Sequence, residues 1–173
     1  MGIPILLLVL SCLLEPGQAK VKQHQSRPSE AVCERWRFLV DPSGTGGLPS
    51  PDVEHLTDEE ALVGLSCLLM LEANRGEGKF SGATRFEVSQ LFPQATVELD
   101  ALFVISAIYN QSWRHADGVA LADARGKIQN AVSGPKRAFP FVRRWYDRIQ
   151  RLGLVKARSQ GDDPLKGSGL HWY

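Results

Sequence analysis

Two stretches of this chain are apolar almost all the way round a helix, so each must be enclosed by the rest of the molecule. The first opens at Thr57-Asp58-Glu59-Glu60 and runs on through LVGLSCLLMLEAN; the second opens at Thr96-Val97-Glu98 and runs through LDALFVISAIY to Asn110. A helix without a polar face belongs in a core. Thr57 is placed to accept from the amide three residues on while Glu60 reaches back to the Thr57 amide, a capping box, and the acidic first turn suits the positive end of the helix dipole. Gly76 is the expected stop. In the second segment Leu99, Leu102, Phe103, Ile105, Ala107 and Ile108 leave little polar surface, so it too is predicted to be central.

Weaker periodic segments surround these two. Glu30 to Val40 places Val32, Trp36 and Leu39/Val40 at helical spacing, predicting a short amphipathic helix. Residues 41–51 (DPSGTGGLPSP) form a Gly/Pro/Ser-rich linker. Arg75 to Phe92 reads as a loop or short extended stretch, broken by Pro93. Val119 to Ala122, followed by Asp123-Ala124-Arg125-Gly126 and Ile128, suggests a small β-hairpin. Ser133 and Pro135 mark another helix start. From there Ala138, Phe141, Val142, Trp145, Ile149 and Leu152 form one stripe, until Gly153 ends or bends the helix. Leu154 to Ser159 adds one further turn. The apolar close Leu170-His171-Trp172-Tyr173 is predicted to pack back on the domain, because an undocked terminus frays. The expected fold is mainly α: a compact helical bundle with two central buried helices (Thr57 to Asn74 and Thr96 to Asn110), one basic amphipathic helix from Pro135 to Leu152, and a small hairpin.

The compartment follows from the first residues. Ile3 to Leu14 (IPILLLVLSCLL) is shorter than the ~20 residues a membrane-crossing helix needs. It matches the apolar centre of a secretory signal peptide, with small residues at Gly17-Gln18-Ala19 for cleavage. Val9-Leu10-Ser11-Cys12 offers a second reading, a lipobox with Cys12 acylated and the chain tethered to a membrane; a third is an unprocessed buried helix. The preferred division is a leader over 1–19, a flexible polar terminus over 20–29 and one globular domain over 30–173. The protein is then secreted or periplasmic. Hydrophobic content of 43% with 23% charged residues is that of a folded domain, and a net charge of +1, raised by one when Glu15 leaves with the leader, selects no nucleic acid.

Cys33 and Cys67 remain as a pair in that oxidising setting. One reading is a disulfide, worth ~3–4 kcal/mol on the chain-entropy model; the other is two separate buried thiols. No Cys/His spacing for a metal occurs, His24, His55, His115 and His171 are dispersed, and no cofactor motif is present. Asp52, Glu54 and His55 read either as an oxygen-rich surface site or as a solvated approach to a helix.

The most distinctive polar cluster is Trp113-Arg114-His115-Ala116-Asp117. Asp117 could orient His115 as a general base, but a nucleophile is needed and no strained turn presents Ser106 or Ser112. The simpler reading is that His115 and Asp117 cap the preceding helix. Arg137, Arg144, Arg148 and Arg151 fall at steps of seven, four and three, so they share one helix face. Such a row attracts phosphate, anionic lipid or an acidic protein surface, and is otherwise solvated. Trp113 is placed with these arginines as a contact residue. Asn110-Gln111-Ser112 is a glycosylation acceptor if the host is eukaryotic.

Three functions compete. The first is a non-enzymatic protein-interaction module (inhibitor, immunity-type or adaptor) whose partner is another protein with an acidic surface. The second is a small secreted hydrolase using His115 and Asp117. The third is an anion- or membrane-surface binder, with membrane contact only through a lipidated Cys12 or the arginine face.

Overall fold

The computed structural model describes residues 28–41, 51–79, 95–116 and 118–173. The leader with Cys12, the polar terminus up to residue 27, the interior of the linker, residues 80–94 and Asp117 lie outside the described residues.

Helix α1 is Glu30–Val40, and it buries Cys33, Trp36, Leu39 and Val40. The stripe differs from the expected one: Val32 is 42% exposed, and Cys33 takes its place. The phase is set by the bond that Cys33 makes to Cys67, across a Cα–Cα distance of 5.1 Å.

Helix α2 is Asp58–Leu69. Its capping box forms as the sequence predicts, Glu60 N–H donating to Thr57 Oγ1 (3.3 Å) and Thr57 N–H to Glu60 Oε2 (3.0 Å). The helix ends earlier than Asn74. Met70 and Leu71 donate their amides to Cys67 and Leu68, a tightening to three-residue spacing that closes the last turn. Ala73 then turns left-handed (φ 67°), and its amide leaves the helix to donate to the Glu98 carboxylate at 3.0 Å. Tertiary contact with the next helix, not a glycine, stops α2.

Helix α3, Val97–Asn110, starts at Thr96, whose hydroxyl accepts from Leu99 N–H. Every residue from Val97 to Tyr109 is buried. It packs against α1, α2 and both later helices, and α2 does the same, so the two apolar segments are the centre of the bundle as expected. Each buried Leu, Ile or Phe here contributes roughly 1.5–3 kcal/mol of transfer free energy. Gln111 ends α3 in the left-handed region (φ 51°), with Ser112 N–H reaching back to Ala107 C=O.

Strand β1 is Leu121–Asp123. The turn after it forms where expected: Gly126 sits at φ 76° and Ala122 bridges to Ile128. The strand's ladder partner is nevertheless remote. β1 pairs antiparallel with β2, Leu170–Trp172, in the register Leu121↔Trp172, Ala122↔His171 and Asp123↔Leu170. The apolar close of the chain is thereby docked.

Helix α4, Ser133–Leu152, buries Ala138, Phe139, Val142, Trp145, Tyr146 and Ile149. Phe139 thus holds the core position assigned to Phe141, which is half-buried on the flank with the Arg144 guanidinium 4.5 Å over its ring. Two positions along a helix is a 200° rotation, enough to exchange inside for outside. Gly153 (φ 85°) breaks the chain into α5, Leu154–Ser159, which buries Leu154 and Ala157. No helix among the described residues is long and apolar enough to cross a membrane.

Candidate functional site

The outward face of α4 carries Lys136, Arg137, Arg143, Arg144, Arg148 and Arg151, against the one carboxylate Asp147. Backbone periodicity does this, because the apolar stripe turns these positions away from α2 and α3. The structure sorts the cations by partner. Arg148 makes a two-pronged bond to Asp162 (2.8 and 3.2 Å), and Arg143 pairs with Glu72 while donating to Leu69 C=O (3.2 Å). The other three hydrogen-bond or stack on neutral groups: Arg137 donates to the Gln129 side-chain amide oxygen (2.8 Å), Arg144 lies over Phe141, and Arg151 donates to Asp147 C=O (3.3 Å); Arg137 is also near enough to Asp123 to help lower that carboxylate's pKa. Among the described residues, none of these three is ion-paired. Four arginines were expected as one row. The row is real, but Arg148 is largely neutralised by a residue that only the tertiary fold brings near.

Beside this face, α2 and α4 enclose an open groove of about 450 Å³ lined by Ser66, Leu69, Met70, Arg143, Tyr146, Asp147 and Gln150. Tyr146 spans its base, donating its hydroxyl to Leu62 C=O (3.2 Å). Arg143, at the junction of groove and face, escaped the sequence reading. Its spacing from Arg151 was visible, but its anchoring by Glu72 on the far side of the groove was not.

His115 sits elsewhere, in the loop after α3. It is half-buried, its Nδ1 3.1 Å from Ser112 C=O and its ring against Phe103 (centroids 4.5 Å) and Trp172 (6.0 Å). Burial pushes its pKa below the ordinary 6.5, opposed by the Ser112 bond and the Asp163 carboxylate. Asp163, itself pushed up by burial, is the acidic group acting on it. Ser106, buried on α3, accepts from the Trp172 indole N–H (2.8 Å). Histidine, serine and acid thus gather under Trp172, but the indole occupies the serine hydroxyl. Trp113 packs half-buried against the core.

Asp52 and His55 bond each other (2.8 Å) on the surface just before α2, each stabilising the other's charge, so the carboxylate is lowered and the imidazole raised. No cluster of three metal-ligating side chains occurs among the described residues. Cys33 and Cys67 form a disulfide. Asn110 is exposed at the end of α3, with its side-chain amide donating to Ser106 C=O (2.8 Å).

The fold and these surfaces define a disulfide-stapled, mainly α domain with one cationic helix face. No protein-family model matches the chain, and no curated protein or solved structure matches it.

Proposed function

We propose that this chain is an exported, non-enzymatic interaction module that binds the acidic surface of another protein through the outer face of α4. The observation that carries this reading is the trio Arg137, Arg144 and Arg151, exposed on one face and outside any ion pair among the described residues. Guanidinium groups are weakly hydrated and form planar forks, so carboxylates on a partner can replace these neutral contacts at small desolvation cost. The α2–α4 groove next to them supplies relief into which a partner side chain fits. Export is supported by the leader and by the Cys33–Cys67 bond, a linkage that persists in oxidising compartments.

The membrane reading is weaker because the apolar stripe of α4 is spent on the core: Phe139, Val142, Trp145 and Ile149 are buried rather than free to insert into lipid. The hydrolase reading would run through His115, whose Nε2 is enclosed beside Trp172.

Immobilised protein and the variant R137E/R144E/R151E, each exposed to the extracellular fraction of the host, test the proposal. Surface changes of this kind alter stability by about 0.5 kcal/mol or less each. The parent is expected to retain an acidic-surfaced protein that the variant does not, with retention lost at high salt. Equal capture by the folded variant overturns the reading.

A further inference from the structure

Strand β2 is held down by a small set of contacts. Its three pairs with β1 are extended by Tyr173 N–H to Ala120 C=O (2.9 Å) and Gly118 N–H to Tyr173 C=O (3.1 Å). A two-stranded ribbon is marginal in water, so side chains must supply the rest. Trp172 supplies it: its indole N–H bonds Ser106 Oγ, and its ring stands edge-on to Phe103 (5.4 Å, 88°) and His115 (6.0 Å, 86°).

His115 is the member of this cluster that can change charge. Its Nδ1 faces Ser112 C=O, and a carbonyl oxygen only accepts, so Nδ1 carries the proton and Nε2 presents a bare lone pair. Nε2 is buried with no hydrogen-bond partner among the described residues. The geometry points to an acid-sensitive latch: a proton taken up at His115 Nε2 releases Trp172, and with it strand β2 from β1.

The physical reason is local. Protonated Nε2 is a buried cationic donor with no hydrogen-bond partner among the described residues, so the ring swings toward water and gives up the edge of Trp172. The surrounding groups bear on this as follows. On α3, Phe103 and Ser106 do not titrate in this range, and burial raises Tyr109, which stays neutral. In the loop, Arg114 is exposed and Asp117 lies outside the described residues. On β2, His171 is exposed. In the turn after α5, Asp163 attracts the His115 cation, and burial holds its own pKa high. A histidine lowered in the fold contributes stability that is complete above its unfolded value and lost as pH falls below it. Asp163 works in the opposite sense, since its protonation in acid relieves a buried charge. The latch therefore opens below the ordinary histidine value of 6.5. This inference is independent of the α4 face.

Hydrogen–deuterium exchange of the full chain, read on the peptide spanning residues 167–173, tests it. After correction for intrinsic exchange, protection is expected to fall, by at most about tenfold, between about pH 7.5 and about pH 5.5. His115→Phe, which keeps a ring and cannot ionise, should hold its protection constant, and His171→Phe should behave like the parent. Unchanged protection in the parent, or an equal loss in His115→Phe, overturns the latch. If His115→Phe does not fold, NMR titration of the parent decides. A His115 midpoint below 6.5 that coincides with loss of the protected Trp172 indole N–H supports it. A midpoint at or above that value, or an indole signal indifferent to it, overturns it.

Discussion

Replacing Gly64 by alanine sets two effects of known size against each other. Gly64 lies inside α2, where alanine is favoured over glycine by about 1 kcal/mol in helix propensity. On an open helix face the substitution would stabilise. Here a Cβ at position 64 would meet three atoms of the Trp36 ring at 2.5, 2.5 and 2.7 Å, where ordinary contact begins near 3.4 Å. The indole must therefore retreat by about 1 Å, and two features oppose this. Trp36 is 2% exposed, so its far side is packed. Cys33 and Cys67 each lie one turn along from the contact, on α1 and α2, and their bond prevents the helices from separating. Overpacking of a rigid core typically costs about 1–3 kcal/mol, so Gly64→Ala is expected to destabilise by about 1 kcal/mol net, lowering Tm by about 2–4 °C. Urea and thermal unfolding followed by far-ultraviolet circular dichroism measure it. Adding Trp36→Phe to the alanine variant should recover part of the loss, giving a favourable coupling of about 1 kcal/mol in the double-mutant cycle. A rise in Tm for Gly64→Ala alone would show that the indole moves freely and that this interface is not the tight contact described.

Removing the disulfide as Cys33→Ala/Cys67→Ala opens a loop of 34 residues in sequence separation. On the chain-entropy model this costs about 3.8 kcal/mol, or a Tm fall of about 8–15 °C, and a shift under about 3 °C would contradict that account. Glu98 is 3% exposed; burial raises its carboxyl pKa, against the Ala73 amide and Arg75, which lower it. A raised carboxyl disfavours the fold while charged, and that penalty disappears as pH falls through its folded value toward the ordinary 4.5. Denaturation midpoints of Glu98→Gln relative to the parent should therefore be highest at neutral pH and decline toward pH 4.5; a pH-independent difference would refute the assignment.

The arginine face and the latch differ in how far they could be read from the chain. The row Arg137, Arg144, Arg148 and Arg151 was visible because helical period alone decides which positions share a face. That Arg148 would be paired was not visible, since Asp162 comes from another element. For His115 the local sequence offered Asp117 as its partner, and Asp117 lies outside the described residues. What the sequence did not offer is Phe103 and Trp172 against the ring and Asp163 acting on it, brought from α3, the last strand and the turn after α5.

By its own pattern the chain determined the two apolar helices, the Thr57–Glu60 box and the basic helix, all consequences of period and capping within a dozen residues. Tertiary contact decided the rest. The Glu98 carboxylate draws the Ala73 amide out of α2, the bond to Cys67 rotates Cys33 inward in place of Val32, and β1 pairs with Leu170–Trp172 rather than closing a hairpin ladder. Short elements have too little internal energy to choose a partner, so they take the one the packed core presents.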